Sequence, residues 1–286
     1  MRAFILSALC AALMAGVANG QVRAPLDTEG LPAYLRDRGT GVSASQFGTY
    51  VQKHQLIVYP FFEYYENKDE EYDPSELGRT QEADYRGEYE AEEWLLFLAY
   101  GFSDRFIAEF EIAVIDAELE TALDDDSGLP DEISESGLGD VEGQLRWRWS
   151  PETQSRPEFF SFFETVFPST DEGSLIGTTD WEFKLGVGAI RGYSWGTVTA
   201  RLAVEYDTAE GSGGMGEAAI EYLKRLSSHW RVFTAFEGTQ DEVEYIAEVQ
   251  WFFVPTVCLK LNTAFGVTSK AADWAPEVGV MFNFGL

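Results

Sequence analysis

The sequence contains few cysteines, few histidines and few basic residues. It has two cysteines and two histidines in 286 residues, and 20 lysines and arginines against 49 aspartates and glutamates. Cys10 lies in an N-terminal segment that we expect to be removed, so only Cys258 remains and an internal disulfide is excluded. The formal charge of −29 argues against nucleic acid as a partner. Aromatic residues nevertheless make up 15% of the chain, which argues for an ordered protein.

Long apolar runs are absent after residue 20. At the N-terminus, Met1 and Arg2 precede an apolar run over residues 3–17, and the small residues 18–20 follow it. This pattern predicts a secretory signal peptide over residues 1–20, cleaved near Gly20. The run is shorter than the roughly 20 apolar residues that a membrane-spanning helix needs. Cys10 stands too early in it for a lipoprotein signal.

Beyond residue 20 the sequence alternates between apolar and polar residues with a period of two. In the last segment, Val278, Val280, Phe282 and Phe284 share one face, and the same rhythm recurs at 181–189, 197–206, 243–252 and 257–266. These segments approach or exceed the ~9–11 residues with which a tilted strand crosses a bilayer. Trp and Tyr concentrate near their ends, as interfacial girdles require.

Twelve strands are predicted, and the connections between them alternate in length. The predicted strands are 55–65, 85–100, 104–117, 137–149, 157–167, 179–191, 195–207, 216–226, 229–238, 241–253, 256–267 and 274–286. Short turns opposite longer loops, with an even strand number, predict an all-β fold: a transmembrane antiparallel up-and-down β-barrel over residues 55–286, in the outer membrane, with both termini in the periplasm. Residues 21–54 form an N-terminal periplasmic segment, either a plug in the barrel mouth or a disordered leader.

Strand parity sorts the charged residues into inward and outward positions. Sixteen acids and eight bases fall inward, which leaves a formal lumen charge near −8. The acids are Glu88, Glu90, Glu92, Glu109, Glu111, Asp140, Glu142, Glu164, Glu182, Glu205, Glu217, Glu221, Glu237, Glu244, Glu248 and Glu277. The bases are Arg86, Arg146, Arg148, Lys184, Arg201, Arg225, Arg231 and Lys260. Because a lone buried charge is costly, water or cations must reach the unpaired carboxylates.

The predicted lumen lining consists of ten of these residues: Glu109, Glu111, Asp140, Glu142, Arg146, Arg148, Arg201, Glu205, Glu244 and Glu248. It favours a low-conductance, cation-preferring channel for small solutes, in which the arginines are structural partners of the acids. A fully satisfied charge network would instead give a sealed structural barrel, and the sequence leaves this alternative open. Phe160 and Phe162 also face inward, where they contact an aromatic solute or pack against the N-terminal segment.

The predicted outer loops are strongly acidic. Residues 66–84 and 116–136 are rich in carboxylates, and Asp124, Asp125 and Asp126 are candidates for weak Ca²⁺ binding, although their spacing does not match an EF-hand. Solvated loops without metal are the alternative, and no other cofactor is predicted. The expected partners are outer-membrane lipid, lipopolysaccharide and the barrel assembly machinery, with the oligomeric state left open.

Catalysis is disfavoured by the positions of the two histidines. A serine nucleophile needs a histidine base within hydrogen-bonding reach. His54 precedes the first strand and His229 falls at a predicted periplasmic turn, on the opposite side from the sites of barrel lipases and proteases. We therefore expect no enzyme, and an outer-membrane lipid-modifying enzyme is the third alternative.

One internal segment carries a family resemblance. Residues 137–149 read GLGDVEGQLRWRW and resemble the GLGD-type strand of the outer-membrane barrels linked to phenol-degradation operons, the MetA-pathway family. The C-terminal residues FNFGL look like the strand by which outer-membrane barrels are recognised for assembly, although this chain ends in Leu286 instead of an aromatic residue. The first resemblance implies transport of hydrophobic or aromatic compounds.

Overall fold

The computed structural model describes Thr28 and residues 30–171, 173–208, 211–239 and 242–286. The predicted signal peptide lies outside these described residues. Twelve strands close into one antiparallel barrel in which neighbours in sequence are neighbours in the wall, and the last strand pairs with the first. The predicted fold, an all-β up-and-down barrel of twelve strands, is confirmed. No helix among the described residues is long and apolar enough to cross a membrane.

The strands are numbered in chain order. Two short ones, β1 (Val42–Ser43) and β2 (Tyr50–Val51), pair with each other apart from the barrel. The barrel strands are β3 (Gln55–Tyr72), β4 (Tyr85–Gly101), β5 (Phe106–Glu120), β6 (Glu132–Ser150), β7 (Glu158–Phe167), β8 (Glu182–Gly192), β9 (Thr197–Asp207), β10 (Ser212–Arg225), β11 (Trp230–Gly238), β12 (Val243–Val254), β13 (Val257–Gly266) and β14 (Ala275–Gly285). A single turn of 3₁₀ helix, η1 (Ala33–Leu35), precedes them.

The two ends of the barrel differ in the length of their connections. The short-turn end carries 102–105, 151–157, 193–196, 226–229 and 255–256, together with the chain termini of the barrel. The opposite, long-loop end carries 73–84, 121–131, 168–181 and 267–274, together with two shorter connections that follow β9 and β11. β3 and β6 run further toward the long-loop end than the predicted 55–65 and 137–149. Strands β3 to β6 therefore rise above the rest of the wall there.

Burial alternates along the strands and separates an apolar exterior from a polar interior. Large exposed apolar side chains, among them Trp94, Val114, Leu185 and Ile220, cover the outside, while most buried charged side chains of the strands point inward. The prediction is wrong for one strand, β4. There Gly87, Ala91, Phe97 and Ala99 are buried inside. The residues of opposite parity, predicted inward, lie outside: Arg86, Glu88, Glu90 and Glu92.

The reason for this error is the height of β4. The outward residues at 86–92 lie past Trp94, the last large exposed apolar side chain on this face of β4, so outward carboxylates there meet water. Glu90 stands directly opposite Glu118 of β5 on this outer face. The rule that charges turn inward holds only for the part of a strand that the apolar exterior belt surrounds, so it cannot set the parity of a strand that extends past it.

Residues 30–54 pack against inward-facing side chains of the barrel. Val42 and Val51 are fully buried in one apolar cluster with Ile57, Phe97 and Ile107 of the wall. Phe47 stacks on Phe233 of β11 with their ring centroids 5.2 Å apart. The segment enters the barrel at the short-turn end. There η1 ends at Leu35, and the chain then continues to β1. We call residues 30–54 the inner segment.

Candidate pore lining

A row of inward carboxylates crosses three neighbouring strands, including the seam where the barrel closes. Glu277 of β14 stands directly opposite Glu63 of β3, and Glu63 stands directly opposite Glu93 of β4. Tyr59 donates a hydrogen bond to Glu277. No hydrogen bond or ion pair joins Glu63 or Glu93 to another described residue. Like charges directly opposite on a sheet repel, so these carboxylates favour a cation or a shared proton between them.

Two further pairs of acidic residues face each other inside the barrel. Glu111 and Glu142 are directly opposite on β5 and β6, and Glu237 and Glu244 are directly opposite on β11 and β12. Glu111 accepts a hydrogen bond from Gln46 of the inner segment at 3.0 Å. Negative charge therefore lines the interior on opposite sides of the wall.

The basic residues of the interior neutralise another part of this charge. Arg201 of β9 forms ion pairs with Glu217, with Glu221 at 2.8 Å and with Glu237 at 2.7 Å. Lys184 of β8 pairs with Glu164 at 3.1 Å. One guanidinium facing three carboxylates leaves a net negative charge even where partners exist.

Other interior charges hold the inner segment in place. Glu109 accepts hydrogen bonds from the backbone N–H and the hydroxyl of Ser45, and Arg146 lies 3.4 Å from the same carboxylate. Lys260 donates to the backbone oxygen of Phe47 at 3.1 Å and pairs with Glu248 at 2.9 Å. The wall charges Glu109 and Lys260 are therefore partly satisfied by polar groups of the inner segment.

Arg38 is the anchor of the inner segment. Its Nη2 lies 3.0 Å from both Glu152 and Glu158, and all three side chains are buried. Arg148 pairs with the other oxygen of Glu158 at 3.2 Å and donates to the backbone oxygens of Thr40 and Gly41. Burial opposes the charge of Arg38, but the nearby carboxylates outweigh it and raise the pKa of its guanidinium above the ordinary value.

Phe160 and Phe162 of β7 face inward and are covered. Their exposed fractions are 0% and 4%, and Tyr50 of the inner segment packs against the cluster that they form. The guanidinium of Arg146 lies 5.5 Å from the ring centroid of Phe160 and 5.1 Å from that of Phe162. In this arrangement the two rings support the inner segment, the second of the two roles that the sequence allows.

The long-loop end is narrowed by the connection between β7 and β8, of which all residues but 172 are described. Ile176 is 4% exposed and packs against Ala91, Ala113 and Ile115 of the wall. Ser174 and the backbone N–H of Leu175 donate to the carboxylate of Glu135 at 2.5 and 2.6 Å. This connection thus folds into the mouth, and the interior acids lie between it and the inner segment.

The candidate metal residues lie in the connection between β5 and β6. Asp125 accepts a hydrogen bond from Tyr72 at 3.0 Å, and Asp126 accepts one from Tyr85 at 2.7 Å. The bonds from Tyr85 and Gln81 hold the pKa of the Asp126 carboxyl below its ordinary value. Within the described ranges, no three Asp, Glu, His or Cys side chains are placed to hold a metal ion together. Ca²⁺ binding at Asp124, Asp125 and Asp126 therefore stays a prediction.

Both histidines lie at the short-turn end. The Nδ1 atom of His229 lies 2.8 Å from the hydroxyl oxygen of Ser228, its neighbour in the chain, in an exposed turn. His54 has a positive φ of 58° at the start of β3 and lies 3.4 Å from the hydroxyl of Tyr100. His54 thus precedes the first barrel strand and His229 lies in the connection between β10 and β11, as the sequence predicts.

The structure places all ten predicted lining residues on the inner face, with Asp140 beside a register shift of β6 and Glu205 directly opposite Lys184. Sequence reasoning missed several inward acids, among them Glu63, Glu93 and Glu158. Glu93 was missed because the predicted parity of β4 was wrong. Glu63 continues the alternation of Tyr59 and Phe61, which is a signal present in the sequence.

Comparison with known proteins places the fold among outer-membrane barrels. No family model and no curated protein sequence matches the chain. The COG4313 outer membrane channel from Pseudomonas putida F1 superposes with a TM-score of 0.60 at 10% identity, over 85% of this chain and 100% of that one. The translocator domain of the autotransporter NalP from Neisseria meningitidis gives 0.51 at 10% identity, over 98% and 95%. At such identities the likeness concerns the fold alone.

Proposed function

We propose that this protein is an outer-membrane channel for the passive passage of small solutes, with a preference for cations. The observation that carries the proposal is the row Glu277, Glu63 and Glu93, because two of its three carboxylates have no partner among the described residues. Acidic side chains that line a pore favour the passage of cations. The channel fold of the COG4313 protein supports the same function class.

The location and the partners belong to the same proposal. An apolar exterior belt with aromatic residues near both ends fits insertion in a bilayer, and the long-loop end then faces outward. Lipopolysaccharide and outer-membrane lipid are the expected neighbours, and the barrel assembly machinery is the expected insertion partner. The inner segment acts as a periplasmic plug, so the resting conductance is low.

The test is the reversal potential of the purified chain in a planar bilayer under a KCl gradient. A cation-preferring pore gives a reversal potential close to the equilibrium potential of potassium. A potential toward chloride contradicts the charge argument. Absence of any conductance, also after the inner segment is released, favours a sealed structural barrel held by the interior ion pairs.

A second solute class is small hydrophobic or aromatic compounds. It rests on the GLGD-type strand at residues 137–149 and on the inward rings of Phe160 and Phe162. Because Tyr50 and Arg146 cover these rings, an aromatic solute reaches them only when the inner segment moves. The test is the uptake of small aromatic compounds by the double variant Phe160→Ala with Phe162→Ala. Unchanged uptake would contradict transport of aromatic solutes.

A further inference from the structure

The rim at the short-turn end carries a concentration of positive charge in a strongly acidic chain. A cleft of about 310 Å³ is lined by Arg36, Lys224 and Arg225 together with Asp37 and Ser194. The whole sequence has 20 basic residues against 49 acidic ones. Three bases against one acid therefore make this cleft opposite in sign to the molecule as a whole.

Contacts within the cleft hold the ammonium of Lys224 and the backbone of Arg225 against Asp37. The buried carboxylate of Asp37 accepts a hydrogen bond from the backbone N–H of Arg225 at 2.9 Å. The ammonium of Lys224 lies 3.4 Å from the same oxygen and donates to the backbone oxygen of Ser194 at 3.3 Å. Arg36 extends into solvent beside them. Asp37 thus neutralises one positive charge and leaves about two for a ligand.

Aromatic side chains of the exterior lie directly next to the cleft. Lys224 shares the outer face of β10 with Tyr222, whose ring stacks on Trp195 at 5.8 Å, and Trp195 stacks on Tyr193 at 4.8 Å. Tyr193 and Trp195 are more than two-fifths exposed. Stacked Tyr and Trp rings occupy the level of lipid headgroups in membrane proteins, and a lysine stem on the lipid face directs its ammonium toward the phosphates.

We propose that this cleft binds the phosphate of an anionic phospholipid in the bilayer leaflet next to the short-turn end. Arg36 and Lys224 contact the phosphate oxygens through charge-assisted hydrogen bonds, and the Tyr193, Trp195 and Tyr222 stack contacts the glycerol and the first acyl carbons. The inference rests on the proposed membrane location but is independent of whether the barrel conducts. A lipid at this place also bridges the wall and η1 of the inner segment.

The experiment is native mass spectrometry of the full chain in a non-ionic detergent, titrated with dioleoyl-phosphatidylglycerol or dioleoyl-phosphatidylcholine. We expect the first phosphatidylglycerol to bind more tightly than phosphatidylcholine. A basic residue near a lipid surface contributes about fivefold in affinity, so Arg36→Gln with Lys224→Gln should weaken the first adduct by about twenty-five-fold. Arg156→Gln, which removes one charge from an exposed turn at the same end, is the matched control for Arg36→Gln alone.

Several outcomes overturn the proposal: equal retention of both lipids, no loss in the double variant, or an equal loss in the Arg156→Gln control. Stabilisation by millimolar inorganic phosphate, without preference for the lipid, assigns the cleft to free phosphate and also overturns it. Replacing Lys224 also removes its contact with Asp37, which could disturb the structure. Arg36→Glu alone changes only an exposed side chain, and it should also weaken lipid binding. Lipid retention is measured without ion flow, so a failure here is distinct from a failure of the channel proposal.

Discussion

Glu63 and Glu93 stand directly opposite each other on β3 and β4, and both face the interior of the barrel. Their counterpart on the outer face is the pair Glu90 and Glu118, also directly opposite on neighbouring strands. The two pairs have the same chemistry and differ in the side of the wall that they occupy. Variants of the two pairs can therefore be compared. A change seen only with the inner pair is an effect on the pore, and a change seen with both is an effect of the protein's total charge.

Replacing the inner pair should reduce cation preference. In Glu63→Gln with Glu93→Gln, up to two negative charges leave the lumen, and an ion passing at about 4 Å in water loses roughly 1 kcal/mol of attraction for each. We expect the permeability ratio of potassium to chloride, from reversal potentials under a KCl gradient, to fall at least about fivefold. Glu90→Gln with Glu118→Gln is the control and should leave the ratio near that of the wild type. Equal shifts in both variants would contradict the assignment of Glu63 and Glu93 to the pore.

Removing the anchor of the inner segment should open the short-turn end. Arg38→Met leaves Glu152 and Glu158 buried without one of their cations, and breaking such a pair costs about 3–5 kcal/mol. We expect higher single-channel conductance and faster tryptic cleavage after Lys53. Arg156→Met, exposed in a turn at the same end and outside the inner segment, is the control for cleavage and conductance. A protected segment in Arg38→Met would argue that the apolar contacts of Val42 and Val51 alone hold it.

Two glycines of β8 make room for the rings of β7. A Cβ at Gly188 would lie 2.3 Å from the ring of Phe160, and one at Gly186 would lie 2.1 Å from that of Phe162. Gly188→Ala should therefore destabilise the barrel by about 1–3 kcal/mol, seen as a lower temperature for heat-induced unfolding on semi-native gels. At Gly143 the nearest atom is 3.4 Å away, so Gly143→Ala is the control. An unchanged unfolding temperature in Gly188→Ala would mean that Phe160 adopts another rotamer at little cost.

The strands were predictable from the sequence because the period of two is enforced on both faces by lipid and water. Within the belt, one charged residue such as Glu142 or Arg146 is enough to fix the parity of a strand. In β4 the adjacent residues Glu92 and Glu93 offer both parities, and the apolar run at 95–98 offers no distinction between the faces. The height of the strand relative to the belt decides which residues of β4 face inward. That height depends on how β4 pairs with the neighbouring strands.

The carboxylate row required information that no single strand contains. Glu277 and Glu63 become neighbours through the closure of β14 on β3, which is a pairing between the two ends of the barrel sequence. The register of that seam sets whether two inward acids meet or are offset. The contact of Arg38 with Glu152 and Glu158 spans more than a hundred residues and has no local signal either. Thus the type of residue in the lumen was predictable, and the partners were not.

The last prediction concerns the mouth at the long-loop end. Ile176 is buried against Ala91, Ala113 and Ile115, and a large-to-small change at such a site costs about 2–5 kcal/mol. Ile176→Ser should therefore release the connection between β7 and β8 while the wall strands remain paired. We expect faster hydrogen exchange over residues 173–179 and a larger conductance in bilayers. Leu123→Ser is the control, because Leu123 is fully exposed on the neighbouring connection. Faster exchange without a change in conductance would show that the narrowest part of the path lies at the inner segment instead, and the Arg38→Met variant would then carry the larger increase.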